Sequence, residues 1–358
     1  MKAPELYRQL RLFERLVNPK AIAAEYRAMA LAPGHVRAAG LSGQMQVELG
    51  LGLANEVLLD GDDFIKTLKS LPAAEFTITV KDNALRWRCG SVRGHLSLLT
   101  DRVVIAQPQF PMLDDVITAE FGTGLDLGAL ACGSPNEMRA HNLFGVQIAS
   151  RGRDTVAYST DNKSFSGCDL AASLQCTGTV TLLPAATSLL STLIKRDKEA
   201  LFGFDDRSVY CITASTKLLL HQVPPLRAEL MQTARLYAEA QTVVPLSQAV
   251  VASFLRRAEA LSEEKAIVTI TLAEGRMGLA FHHSTASSEE FYVVNDGPEI
   301  SLPPITIEAH RLAVVLKHAD RLVLDYAKQN FLVLRGPQGF LFVIAGRPEA
   351  SGAQGRDG

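Results

Sequence analysis

One block of sequence occurs three times in this chain. The first copy runs from Phe64 to Leu99, FIKTLKSLPAAEFTITVKDNALRWRCGSVRGHLSLL. It reads as a short amphipathic helix, an alternating strand, a tight polar turn at Asp82-Asn83 and two further strands. A second copy starts near Pro184 and a third near Ile305, so the starts lie roughly 120 residues apart. That period is the size of a domain and far longer than a solenoid repeat. The chain is therefore expected to hold three similar domains in a row. Repeated modules with basic helices suggest a built shape more than a single catalytic pocket.

The chain has 358 residues, enough for two or three domains that each bury a core. Its formal net charge of −2 shows no overall basic excess. The N-terminal MKAPELYRQLRLFERL has no continuous apolar core, and no apolar run reaches the roughly 20 residues that span a bilayer. The five cysteines, Cys89, Cys132, Cys168, Cys176 and Cys211, are scattered without metal-ligand spacing. They read as reduced core or strand residues of a cytoplasmic protein. The tail from 349 to 358 is small and polar and is expected to be disordered.

Each domain should hold two helices and two sets of strands. Boundaries are placed at 1–114, 115–240 and 241–348, with Gln107–Asp115 (QPQFPMLDD) as the first linker. The helices are expected at 5–17, 62–70, 134–141, 185–198, 247–261 and 306–318, the second after an N-cap at Asp62. These six segments carry 13 Lys and Arg against 8 Asp and Glu, which leaves 23 against 30 elsewhere. Charge is thus sorted by element although the total is near zero. One reading is ordinary helix-surface chemistry. The other is that the helices face a polyanion and the strands form an acidic outer wall.

The pieces in order resemble the bacterial beta sliding clamp, the processivity subunit of the replicative DNA polymerase, across roughly residues 1–348. The KSLP turn with its following strands and Phe110-Pro111 is similar to the end of the clamp's first domain. LFGVQIASRGRDTVAYSTDNKSF resembles a central-domain segment that usually ends ATDGHRL. LYAEAQTVVP stands where the family has FPDYxxVxP, and LFVIAGR is similar to the usual LYVIMPMR ending.

The resemblance implies an α+β fold of three tandem clamp domains, each with two helices on antiparallel sheets. It implies a homodimer ring whose helices line a hole for duplex DNA, with no cofactor and no catalytic activity. The implied partners are DNA, contacted without sequence preference, and the polymerase and clamp loader, held through short peptide motifs. The implied peptide groove is lined by Leu143, Thr160, Phe165, Val243, Val343 and Ala345, with Arg347 at its rim. The family's usual residues are replaced at Asn162-Lys163-Ser164, Ala238 and Ala345-Gly346-Arg347, all in the groove segments. Such departures point to a divergent replication system, as in a phage or mobile element, with its own partner motif.

Candidate DNA contacts are Arg8, Arg11, Arg15, Lys66, Lys69, Arg139, His141, Lys195, Arg196, Lys198, Arg256, Arg257, Arg311 and Lys317. Two alternatives share the fold: a peptide-binding scaffold that does not encircle DNA, and a clamp serving transcription or repair. An enzyme finds no support. His282-His283 lie on opposite strand faces or in a turn, Cys168-Asp169 has no evident base, and Gly122, Gly124 and Gly128 lack the closing Lys and Ser/Thr of a phosphate loop.

Overall fold

The computed structural model describes residues 1–99, 103–133, 145–226, 243–261, 266–273, 275–282, 287–293, 302–323 and 331–346. The repeat is visible in the order of elements. The first copy is α1 (Ala3–Leu10), a 3-10 turn at Arg11–Arg15, then β1 (Ala28–Leu31), β2 (His35–Gly40), β3 (Gly43–Glu48) and β4 (Val57–Asp60). It continues with α2 (Gly61–Ser70), β5 (Phe76–Lys81), β6 (Ala84–Cys89) and β7 (Val92–Ser97). The second copy is β8 (Asp115–Thr118), α3 (Ala119–Gly128), β9 (Val146–Ser150), β10 (Thr155–Thr160), β11 (Ser164–Asp169) and β12 (Gly178–Leu182). Then follow α4 (Pro184–Asp197), β13 (Glu199–Phe204), β14 (Ser208–Ile212) and β15 (Thr216–His221). The third is β16 (Val243–Pro245), α5 (Gln248–Ala260), β17 (Ile267–Ala273), β18 (Arg276–His282), β19 (Ser287–Val293) and β20 (Leu302–Glu308). It ends with α6 (Ala309–Leu316), β21 (Arg321–Val323), β22 (Phe331–Arg335) and β23 (Leu341–Ala345).

Helix α2 shows why the repeat forms. Asp60 caps it, its carboxylate accepting the backbone N–H groups of Asp62 and Asp63 at 3.1 Å each. The cap thus lies two residues before the expected Asp62, because the β4 strand leads straight into the helix. Phe64, Ile65 and Leu68 fall on one buried face, and Lys66 and Lys69 on the exposed one. The helix ends at Leu71, whose extended backbone suits the proline that follows. The β5–β6 turn places Asp82 and Asn83 at φ 53° and 57°, the pair of left-handed residues a two-residue hairpin needs.

Two helices also differ from the sequence reading. The first helix stops at Leu10 and tightens into the 3-10 turn, so it is not regular to residue 17. Helix α3 was not anticipated, since AEFGTGLDLG looks like a loop by propensity. Its glycines are there for close packing. A Cβ on Gly122 would sit 3.0 Å from the Ser191 carbonyl oxygen, and one on Gly128 2.7 Å from the Ala157 Cβ. The expected helix at 134–141 and the tail from 349 lie outside the described residues.

The chain forms two compact units. The first comprises Met1–Thr123, Ser150–Asp154 and Ala172–Val223. Here strands run in the order β4-β1-β2-β3-β15-β14-β13-β8, so the first sheet of copy one joins the last sheet of copy two through β3 and β15. The seam is close: a Cβ on Gly43 would sit 2.1 Å from the Leu219 carbonyl oxygen. A separate three-stranded sheet, β5-β6-β7, belongs to this unit. Phe121 and Phe202 pack at 5.1 Å in its core.

The second unit comprises Gly124–Ala149, Thr155–Ala171 and Pro224–Gly358. Its strands β9-β10-β11-β23-β22-β21-β16 repeat the same seam, now through β11 and β23. A four-stranded sheet, β19-β18-β17-β20, stands beside α5 and α6 in one core with Phe254, Leu312, Phe281 and Phe342.

Candidate functional site

In the second unit the sheet is apolar on both faces. Along β22 and β23, Leu332, Leu334, Phe342 and Ile344 enter the main core. The alternate residues face the other way. There Leu341, Val343, Val333 and Val323 form a second cluster against Phe165 and Phe331. A third cluster, Ala149, Tyr158 and Leu226, also meets Phe165, whose ring stacks on Tyr158 at 6.1 Å.

Strand register turns this face into a line. Thr160 pairs with Phe165, Phe165 with Val343, Val343 with Val333, Val333 with Val323, and Val323 with Val243. Four expected groove residues, Thr160, Phe165, Val343 and Val243, therefore share one cross-strand row. Ala345 stands in the next row opposite Phe331. Val333 and Val323, which the sequence reading missed, complete the row; alternation in β21 and β22 was the available signal. Thr160 is 3 % exposed, and its hydroxyl donates to the Ser164 carbonyl, so it shapes the hairpin more than the floor. Leu143 and Arg347 lie outside the described residues.

Helix α6 holds that hairpin. The Arg311 guanidinium bonds Asp161 at 2.5 Å, the Ser164 hydroxyl at 2.6 Å and Glu308 at 3.1 Å. Lys163 stands 3.8 Å from the same Glu308. Burial opposes the charge on Arg311, but the carboxylates of Asp161 and Glu308 outweigh it and raise its pKa. An ion network this enclosed positions a turn, and losing one partner would strand the others.

The basic residues divide by what they touch. Arg8, Arg11, Lys69, Lys198, Arg256 and Lys317 are exposed, and so are Arg15, Lys66, Lys195 and Arg257. Arg15 bonds Ser188 and Thr192, Lys66 pairs with Asp62 at 2.5 Å, and Arg257 pairs with Glu290. Arg196 is half-buried between Asp197 and Thr216. Arg139 and His141 lie outside the described residues.

The expectation of acidic sheet faces fails at β5–β7. One face there carries Arg86, Arg88, Arg93 and His95, because the summed charge of all non-helical residues averages this face with acidic segments elsewhere.

This architecture matches solved structures over nearly the whole chain. A sliding clamp from Bacillus subtilis superposes with a TM-score of 0.82 at 13 % identity, covering 97 % of this chain and 98 % of that one. The DNA polymerase III beta subunit of Pseudomonas aeruginosa gives 0.81 at 16 % identity with the same coverage. So does a Pseudomonas aeruginosa clamp bound to griselimycin, at 15 % identity. The chain has the sliding-clamp fold. No family model matches it, and no curated protein matches it. Among the described residues no helix is long and apolar enough to cross a membrane, and no cluster of His, Cys, Asp and Glu could hold a metal.

Proposed function

We propose that this chain is a non-enzymatic cytoplasmic sliding clamp that encircles duplex DNA and tethers a replicative polymerase. The observation that carries the reading is the repeated seam. The third strand of one copy's first sheet pairs with the third strand of the next copy's last sheet twice within the chain, at β3–β15 and β11–β23. Three domains, bounded at 1–114, 115–240 and 241–348, leave one such pair unmade. Its members are β19, at the edge of its four-stranded sheet, and β7, at the edge of its three-stranded sheet. Edge strands present unpaired backbone groups that attract a partner strand. If β7 of one copy takes β19 of a second, the contact is head to tail and closes after two copies. Six domains then surround the DNA.

Arg8, Arg11, Lys69, Lys198, Arg256 and Lys317 supply exposed charge for phosphates, without reading sequence. The apolar row from Thr160 to Val243 receives the short motifs of polymerase and loader as an extended peptide. Its divergent rim suits a replication system with its own motif.

Light scattering over a dilution series should give twice the chain mass. After loading, circular DNA should retain the protein in high salt and linear DNA should release it. A monomer at every concentration, or equal loss from both DNAs, would sink the ring. A peptide-binding scaffold that does not encircle DNA is the second reading. It is favoured by Arg196, Arg257 and Arg311 pairing with carboxylates inside the chain.

A further inference from the structure

The sheet β5-β6-β7 has two different faces. Phe76, Leu85 and Cys89 are buried on one. The other is a concave depression of about 770 Å³ lined by Thr77, Thr79, Asp82, Arg86, Arg88, Arg93 and His95. Register sets these side chains in two rows. Thr77 pairs with Arg88 and Arg88 with Arg93; Thr79 pairs with Arg86 and Arg86 with His95. Like charges directly opposite each other destabilise a sheet. Arg88 and Arg93 are such a pair. Arg86 is compensated by Asp82 at 2.7 Å, and among the described residues Arg88 donates only to the Gly90 carbonyl at 3.2 Å. For Arg93 no hydrogen bond or ion pair occurs among the described residues. The face thus bears a repulsion that an anion would relieve.

We propose that this face binds single-stranded nucleic acid, by its phosphates, at a site separate from the helices that serve duplex DNA. Arg88 and Arg93 can each fork onto phosphate oxygens, Arg86 keeps part of its fork on Asp82, and the two threonines add neutral donors. The exposed face offers no aliphatic pocket of the kind that anchors a peptide. A charged groove without such anchors fits a phosphate backbone better than an acidic peptide. Three strands make the depression narrow, which suits one strand more than a duplex. Pairing of β7 at its edge would use backbone groups and leave this face open. The site does not depend on ring closure.

Trp87 gives the sheet a reporter directly behind the site. It lies between Arg86 and Arg88 in β6 with its ring on the reverse face, stacked on Phe76 at 6.5 Å, and is the chain's single tryptophan. Its indole lies across Gly94, where a Cβ would come within 2.4 Å of the ring. Titration of the full chain with oligo(dT) should change the Trp87 fluorescence saturably, with a salt slope of about −2 for three phosphate contacts. Arg88→Glu/Arg93→Glu should weaken that binding at least tenfold, and the milder Arg88→Gln/Arg93→Gln should weaken it less. Arg8→Glu/Arg11→Glu, on the helix side, should leave the signal unchanged. Any of three results would overturn the proposal: binding retained by both sheet variants, an equal response to oligo-glutamate of matched charge, or tighter binding of duplex of the same length.

Discussion

The meanders β5–β7 and β13–β15 are copies of one unit with different fates. In the second, β15 is sealed against β3, and Thr216, Leu218 and Leu220 are 0 % exposed. In the first, the matching strand β7 ends its sheet, with Val92 41 % exposed and Gly94 and Leu96 half-buried. The second is also locked at its turn. Arg196 bonds Asp197 and Thr216, and the Thr213 hydroxyl donates to Asp197 at 2.5 Å. The first carries cations on its open face instead. The difference teaches that one helix-and-meander unit serves either as the inside of a joined sheet or as a docking edge, depending on whether its third strand finds a partner in the same chain.

The largest test of this contrast is Leu218→Ala. It should cost about 3 kcal/mol by cavity formation, while Leu96→Ala should cost less than about 1 kcal/mol. Urea unfolding midpoints would show it, and equal losses would break the contrast. Next comes Val92→Lys, which places a charge on the open edge as natural edge strands do. Self-association should weaken at least tenfold, about 1.4 kcal/mol, with the unfolding midpoint of the monomer unchanged. Equal dimer mass on dilution would move the self-association surface away from β7.

The smallest effect concerns Asp197. Burial disfavours its charge, but the hydrogen bonds from Arg196 and Thr213 prevail and hold its carboxyl below the usual range. Its stabilisation is therefore present above the ordinary carboxylate pKa of about 4 and is lost as pH falls through the depressed native value. Asp197→Asn should cost about 1 kcal/mol at pH 7. That deficit should shrink toward zero below the native pKa, as read from urea unfolding at several pH values. A deficit independent of pH would assign Asp197 a packing role only.

Much of this was legible in the residues. The Asp82-Asn83 turn, the Phe64, Ile65 and Leu68 face and the threefold spacing all follow from local chemistry and appear as expected. Thr160, Phe165, Val243 and Val343 were chosen by family likeness, and the register sets them in one row. Helix α3 was illegible because its glycines lower helix propensity, and the reason for them is a neighbour's backbone distant in sequence. Arg311 looked like a surface cation, since nothing nearby in sequence announces Asp161 as its partner.

By itself, the sequence determined the repeated unit: helix caps, turn residues and alternation act over a few positions and are written there. Only the tertiary structure decided which sheets join. Every strand edge offers the same backbone donors and acceptors, so the pairing of β3 with β15 and of β11 with β23 is chosen by shape and burial over long separations. The same physics made the basic face of β5–β7, because alternation puts Arg86 and Arg88 on one side but only register brings Arg93 and His95 beside them.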